Sequence, residues 1–154
     1  MARAMLTDLV LAIAHHIAIV TLVVLIAMEF ALLRPGITAA NLRRVTHIDA
    51  AYGACAGLVV VIGVCRVVWG WKGPAFYMSN PWFWAKMVSF ALIGLLSIPP
   101  TLALLKWRKA LKADAGFAPP EGEIARLRGF IHAEMGLLAL VVAFAAAMAR
   151  YGAF

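Results

Sequence analysis

Several side chains able to carry protons, ligate metals or hold anions stand inside long apolar runs of this chain, where ionisable groups are expensive and by default functional. His15 and His16 lie in one such run and Glu29 toward its end; a second run carries His47, Asp49, Tyr52 and Arg66; a third begins near Lys86; a fourth holds His132 and Glu134. An imidazole can bind a metal or relay a proton, a carboxyl can exchange one, and a sequestered cation can hold an acidic ligand. If ionised at a bilayer centre, Glu29, Asp49, Arg66, Lys86 and Glu134 would each cost about 2.5–3.5 kcal/mol, together more than about 10 kcal/mol before pairing and snorkelling relieve part of it. A cost of that size calls for partners on neighbouring segments.

The elements that must position these groups follow from composition. With 65% hydrophobic and 14% charged residues, the 154-residue chain lies outside the soluble range and reads as one all-α membrane domain over 1–154. Its net charge of +7 comes from basic residues at the expected loops, without the basic stripe and interleaved aromatic rings that nucleic acid requires, so nucleic acid is excluded as a partner. Helices are predicted at about 5–33, 45–71, 81–109 and 124–150, an antiparallel four-helix bundle. Ala12-Ile13-Ala14 resembles a cleavage site, but the run before it is short and carries Asp8, so the first helix is expected to be retained. Cys55 and Cys65 are ten residues apart on one helix, about 15 Å along its axis and too far for a disulfide.

The connections carry their own signals. Leu33-Arg34-Pro35-Gly36 ends the first helix, and Thr38 to Arg44 reads as a helical turn before the second. The Gly-, Pro- and aromatic-rich stretch 70–83 reads as a turn within an interfacial aromatic belt. Pro99-Pro100, inside the third run, is expected to kink or break that helix, with Ser97 or Thr101 taking the freed carbonyls. Gly53 and Gly57 make a small-residue packing face. Nine basic residues, Arg34, Arg43, Arg44, Lys106, Arg108, Lys109, Lys112, Arg126 and Arg128, flank the first and third loops, against Arg3, Lys72 and Arg150 elsewhere. By the positive-inside rule those loops face the cytoplasm of a bacterial inner membrane and both termini lie outside.

In such a bundle, distance from the helix ends sorts the polar groups into two layers. His15, His16, Arg66 and Lys86 fall in the outer half; Glu29, His47, Asp49, Tyr52, His132 and Glu134 fall toward the cytoplasm, bordered by Arg43, Arg44 and Arg128. At 100° per residue, His15 lies within about 40° of Glu29 and near Asp8, which makes it the inward member of its pair. An apolar slot with an imidazole ligand and basic groups for two propionates suits haem b: His15, the metal ligand, or His16, with Arg66 and Lys86 as cofactor-binding groups. Glu29, Asp49, His132 and Glu134 then form the proton-handling, catalytic layer.

The same residues carry two resemblances. A histidine early in helix one, Arg43-Arg44, a tryptophan and Lys86 at the start of helix three, and Arg128, Phe130 and Glu134 entering helix four resemble the HemJ-type bacterial protoporphyrinogen oxidases, which implies a haem-binding membrane redox protein. Ile98-Pro99-Pro100 stands where that family usually has Tyr-His, and His132 where it has asparagine. The whole chain is similar to an uncharacterised bacterial four-helix membrane family through His15-His16, LLRPG at 32–36, Asp49 with Tyr52-Gly53, KGPAFY at 72–77, SIPPT at 97–101 and His132-Ala133-Glu134. The expected function is thus haem-b-linked electron transfer in the lipid bilayer, with a quinone or porphyrin as partner and self-association left open. A proton-coupled or divalent-metal transporter, and a non-catalytic assembly factor, stand as the alternatives.

Overall fold

The computed structural model describes residues 2–151, with side chains from residue 5 onward. Apolar runs of this length have no choice but the helix, which satisfies every backbone donor and acceptor within one segment. Four long helices result: α1 (Ala2–Leu32), α2 (Ala39–Trp69), α4 (Pro81–Ala113) and α5 (Glu121–Tyr151), with a short α3 (Gly73–Met78) between the middle two. Among the described residues all four long helices are long and apolar enough to cross a membrane.

The helices are arranged as a square. α1 packs chiefly on α2 and α4 on α5, the two hairpins meet along narrower α2–α4 and α1–α5 seams, and among the described residues neither diagonal pair of backbones comes within packing reach. Leu22, Ile26, Tyr52, Ile93, Leu104, Trp107, Ile131 and Leu138 are buried in the middle, while Val20, Val61, Leu95 and Leu102 are exposed on the outside. An apolar exterior around a partly polar interior is the distribution expected of a protein solvated by lipid.

The ends explain where the helices stop. Thr38 caps α2, its hydroxyl accepting from the Asn41 N–H at 3.3 Å, so the second helix begins about two turns earlier than the run starting at Val45 predicts. Asn80 caps α4 ahead of Pro81, which needs no N–H at that position. Gly36 and Gly73, at φ 71° and 68°, provide the left-handed turns out of α1 and into α3. The 70–83 stretch is therefore more than a turn: Gly73–Met78 closes into a helix whose Tyr77 is buried. Trp69, Trp71 and Trp84 stay exposed around it, as an aromatic belt should.

Pro99 and Pro100 do not break the third apolar run; α4 is continuous from Pro81 to Ala113. The Ser97 hydroxyl donates to the Gly94 carbonyl at 2.9 Å and Thr101 to Asp49, so neither takes the Leu95 or Leu96 carbonyl that the prolines free. A membrane helix tolerates proline because neighbouring groups and small local adjustments accommodate it.

At the opposite end of the bundle from the 33–38 loop, Asp8 Oδ1 accepts from the Trp71 N–H at 3.2 Å, tying α1 to the chain leaving α2. A Cβ at Gly70 would collide with the Arg66 carbonyl oxygen and stand 2.9 Å from that carboxylate. Gly70→Ala is expected to cost about 1–3 kcal/mol, read as a lowered unfolding midpoint in detergent.

Candidate functional site

The structure separates the ionisable groups into two clusters stacked along the bundle axis. The upper one joins three helices. His15 of α1 packs its Cε1 against Gly63 of α2, 3.5 Å from where a Cβ would stand, and Arg66 of α2 and Lys86 of α4 are the cations whose fields reach it. His15 Nδ1, Arg66 Nε and Trp82 Nε1 are buried with no hydrogen-bond partner. A buried orphan of this kind is rare and calls for an explanation. Lys86 Nζ lies 5.3 Å from the Phe83 ring centroid, and Trp82, one turn earlier, stacks on Phe144 of α5 at 6.0 Å. Tyr77 of α3 covers this end; burial raises its hydroxyl pKa, with Arg66 opposing and Asp8 adding to the shift.

His16 does not join this cluster. It is exposed, and its Nδ1 donates to its own helix at Ala12 O, 2.6 Å away. Adjacent helical residues project about 100° apart, so turning His15 inward turns His16 out.

The lower cluster is acidic. Glu29, Asp49 and Glu134 are 2%, 5% and 2% exposed and lie close enough to feel one another's charge. Tyr52 Oη donates to Glu134 Oε2 at 3.0 Å, a bond thrown across the α2–α5 diagonal, and Thr101 Oγ1 donates to Asp49 Oδ1 at 2.7 Å across the α2–α4 seam. Thr101 thus serves a carboxylate rather than a carbonyl freed by the prolines. His132 is exposed, since it lies 200° from the buried Glu134, and its ring centroid is 5.9 Å from that of Phe30 in an edge-to-face contact. His47 is also exposed and outside the cluster. Among the described residues no group of three or more His, Cys, Asp and Glu side chains could hold a metal ion.

Between the clusters the interior is mainly apolar. Leu22, Ile26, Val59, Ile93, Leu138 and Val141, all buried, fill the bundle at the depth between them; Leu22 is seven residues from both His15 and Glu29, about 10 Å from each along the axis. Below the acidic cluster, Arg128 closes the end of α1. Its Nη1 donates to Phe30 O and Leu33 O at 2.7 and 2.6 Å, two carbonyls the helix terminus leaves without intrahelical donors, and its guanidinium sits 4.0 Å from the Phe30 ring centroid. The contacts of Gly63 with His15, Thr101 with Asp49 and Phe30 with His132 each join two different helices, so no spacing within one helix signals them.

Comparison with curated proteins and with solved structures returns no match. A family model described as a predicted membrane protein (DUF2214) matches residues 7–152, a span that takes in most of α1, the whole of α2, α4 and α5, and both polar clusters. The chain belongs to this DUF2214 family of membrane proteins.

Proposed function

We propose that the protein is a haem-b-binding redox protein of the bacterial inner membrane, exchanging electrons with a quinone or a porphyrinogen. The observation that carries this reading is the convergence of His15, Arg66 and Lys86 from three helices, with His15 Nδ1 and Arg66 Nε buried and unpartnered. The orphaned atoms fit the group: an imidazole nitrogen without a hydrogen bond is available to iron, and two cations at similar depth match two propionates. His15 would be the axial ligand, with Arg66 and Lys86 holding the carboxylates; bound haem would supply one-electron chemistry. Trp82 and Tyr77 exclude water from that end of the bundle. Glu29, Asp49 and Glu134, with Tyr52 and Thr101 donating to them, are placed to accept and release the protons that accompany electron transfer.

The acidic cluster favours a second reading, a proton-coupled or divalent-cation carrier, because buried carboxyls mark such pathways. The apolar side chains between the two clusters weigh against it: a proton or metal ion needs polar groups along its whole path, and an electron does not. The test is a reduced-minus-oxidised difference spectrum of detergent-purified protein from haem-replete cells. A Soret shift and a sharp α-band are expected. Colourless protein that acidifies proteoliposomes under an imposed gradient would replace the first reading by the second.

The nine-to-three distribution of basic residues supports both termini lying outside the cytoplasm. A periplasm-active reporter fused after Phe154 is expected to be active, and the same reporter in the 114–120 loop inactive.

A further inference from the structure

At the end of the bundle that carries the 33–38 and 114–120 loops, a cleft between α2 and α4 is lined by Arg43, His47, Arg108, Leu111 and Lys112. Arg43 and His47 are one turn apart on one face of α2, as are Arg108 and Lys112 on α4, so two pairs of basic or titratable side chains oppose each other across the gap. No carboxylate lines it. Two of the acids at this end are engaged elsewhere: Asp114 Oδ1 accepts from the Gly116 N–H at 2.8 Å, and Glu123 Oε2 from the Trp107 indole at 3.0 Å. Leu111, 4% exposed, gives the cleft an apolar floor.

We propose that this cleft binds the phosphate headgroup of an anionic phospholipid. Three permanent cations and a histidine facing one space demand a multiply accepting anion, and phosphate matches the arginine fork. The placement selects a lipid over a free anion. The cleft opens at the first turns of one membrane-spanning helix and the last turns of another, where headgroups lie, and its apolar floor suits a glycerol backbone. The assignment is independent of the haem reading, since it uses none of that site's residues.

The experiment is native mass spectrometry of delipidated full-length protein with added phosphatidylglycerol or phosphatidylcholine. Phosphatidylglycerol is expected to be retained and phosphatidylcholine lost. Each basic side chain near an anionic surface contributes about fivefold in affinity, so Arg43→Gln with Arg108→Gln should weaken phosphatidylglycerol retention about 25-fold, and Lys112→Gln alone about fivefold. Arg44→Gln with Lys109→Gln removes the same charge from the same two helix ends outside the cleft, and should change retention by less than about threefold. The three permanent cations of the cleft are each substituted, and Lys112→Gln keeps the test alive if the double variant does not fold. Equal retention of the two lipids, or equal losses in both double variants, would overturn the site. Displacement of the lipid by millimolar inorganic phosphate would make it a small-anion site instead and overturn the lipid assignment.

Discussion

Replacing His15 by alanine is expected to abolish haem retention, lowering the haem-to-protein ratio at least tenfold at equal protein yield. The magnitude follows from the loss of the single inward imidazole at that depth: His16 is exposed and its Nδ1 is already committed to Ala12 O, so it cannot substitute without rotating the whole of α1. His16→Ala should therefore leave the Soret band in place. Arg66→Ala and Lys86→Ala each remove one cation from beside His15 and are expected to weaken retention about tenfold, the loss of roughly one charge-assisted hydrogen bond to a propionate. His132→Ala, on the outer surface of α5, should have no effect on the spectrum. Optical spectra of these variants, each checked for monodispersity, discriminate the reading from a histidine that only packs against Gly63. In that case the wild type is colourless, and His15→Ala lowers stability without changing absorbance.

The second large effect belongs to Arg128. Two short hydrogen bonds from one guanidinium to the carbonyls of Phe30 and Leu33 are charge-assisted, and hydrogen bonds to charged groups contribute about 1.5–3 kcal/mol each. Partial exposure of the side chain discounts that sum, and the face-on contact with Phe30 adds a little back. Arg128→Ala is expected to destabilise the protein by about 3 kcal/mol, measured by denaturant unfolding in detergent. Arg128→Lys should recover less than half, because it replaces the planar guanidinium that lies over the Phe30 ring with a more strongly hydrated ammonium. A loss below about 1 kcal/mol for Arg128→Ala would mean that water caps α1 as well as the guanidinium does.

Much of this architecture is legible in one dimension. Helix number, the inward line Asp8, His15, Glu29 and the opposite pointing of His132 and Glu134 all follow from length and a 100° step, and the burial of Glu29 and Glu134 agrees. What periodicity could not supply is which helices are neighbours, and hence that Tyr52 would meet Glu134 across a diagonal while Thr101 would meet Asp49 across a seam. The start of α2 was hidden because Thr38 to Arg44 is polar: the cap made by Thr38 is a local hydrogen bond that hydropathy does not register. Pro99 and Pro100 leave α4 unbroken for a related reason. Proline's penalty is calibrated on soluble helices, whereas a helix in lipid has no better conformation to fall into. The depth argument that grouped His47 and His132 with the acidic residues ignored azimuth, and both turn outward.

The unequal seams of the square bear on how the chain is built. Each hairpin, α1 with α2 and α4 with α5, has the more extensive packing, and the two hairpins share the thinner seams. Leaving the insertion machinery, the first half carries Glu29, Asp49, Tyr52, His15 and Arg66, and the second carries Glu134, Thr101 and Lys86. Neither half can satisfy its polar groups alone, so docking of the halves is where the Tyr52–Glu134 and Thr101–Asp49 bonds first form. Co-expressed halves, split within the 70–80 connection, should therefore find each other in the bilayer, and a half made without its counterpart should be recognised by quality-control proteases as an orphan.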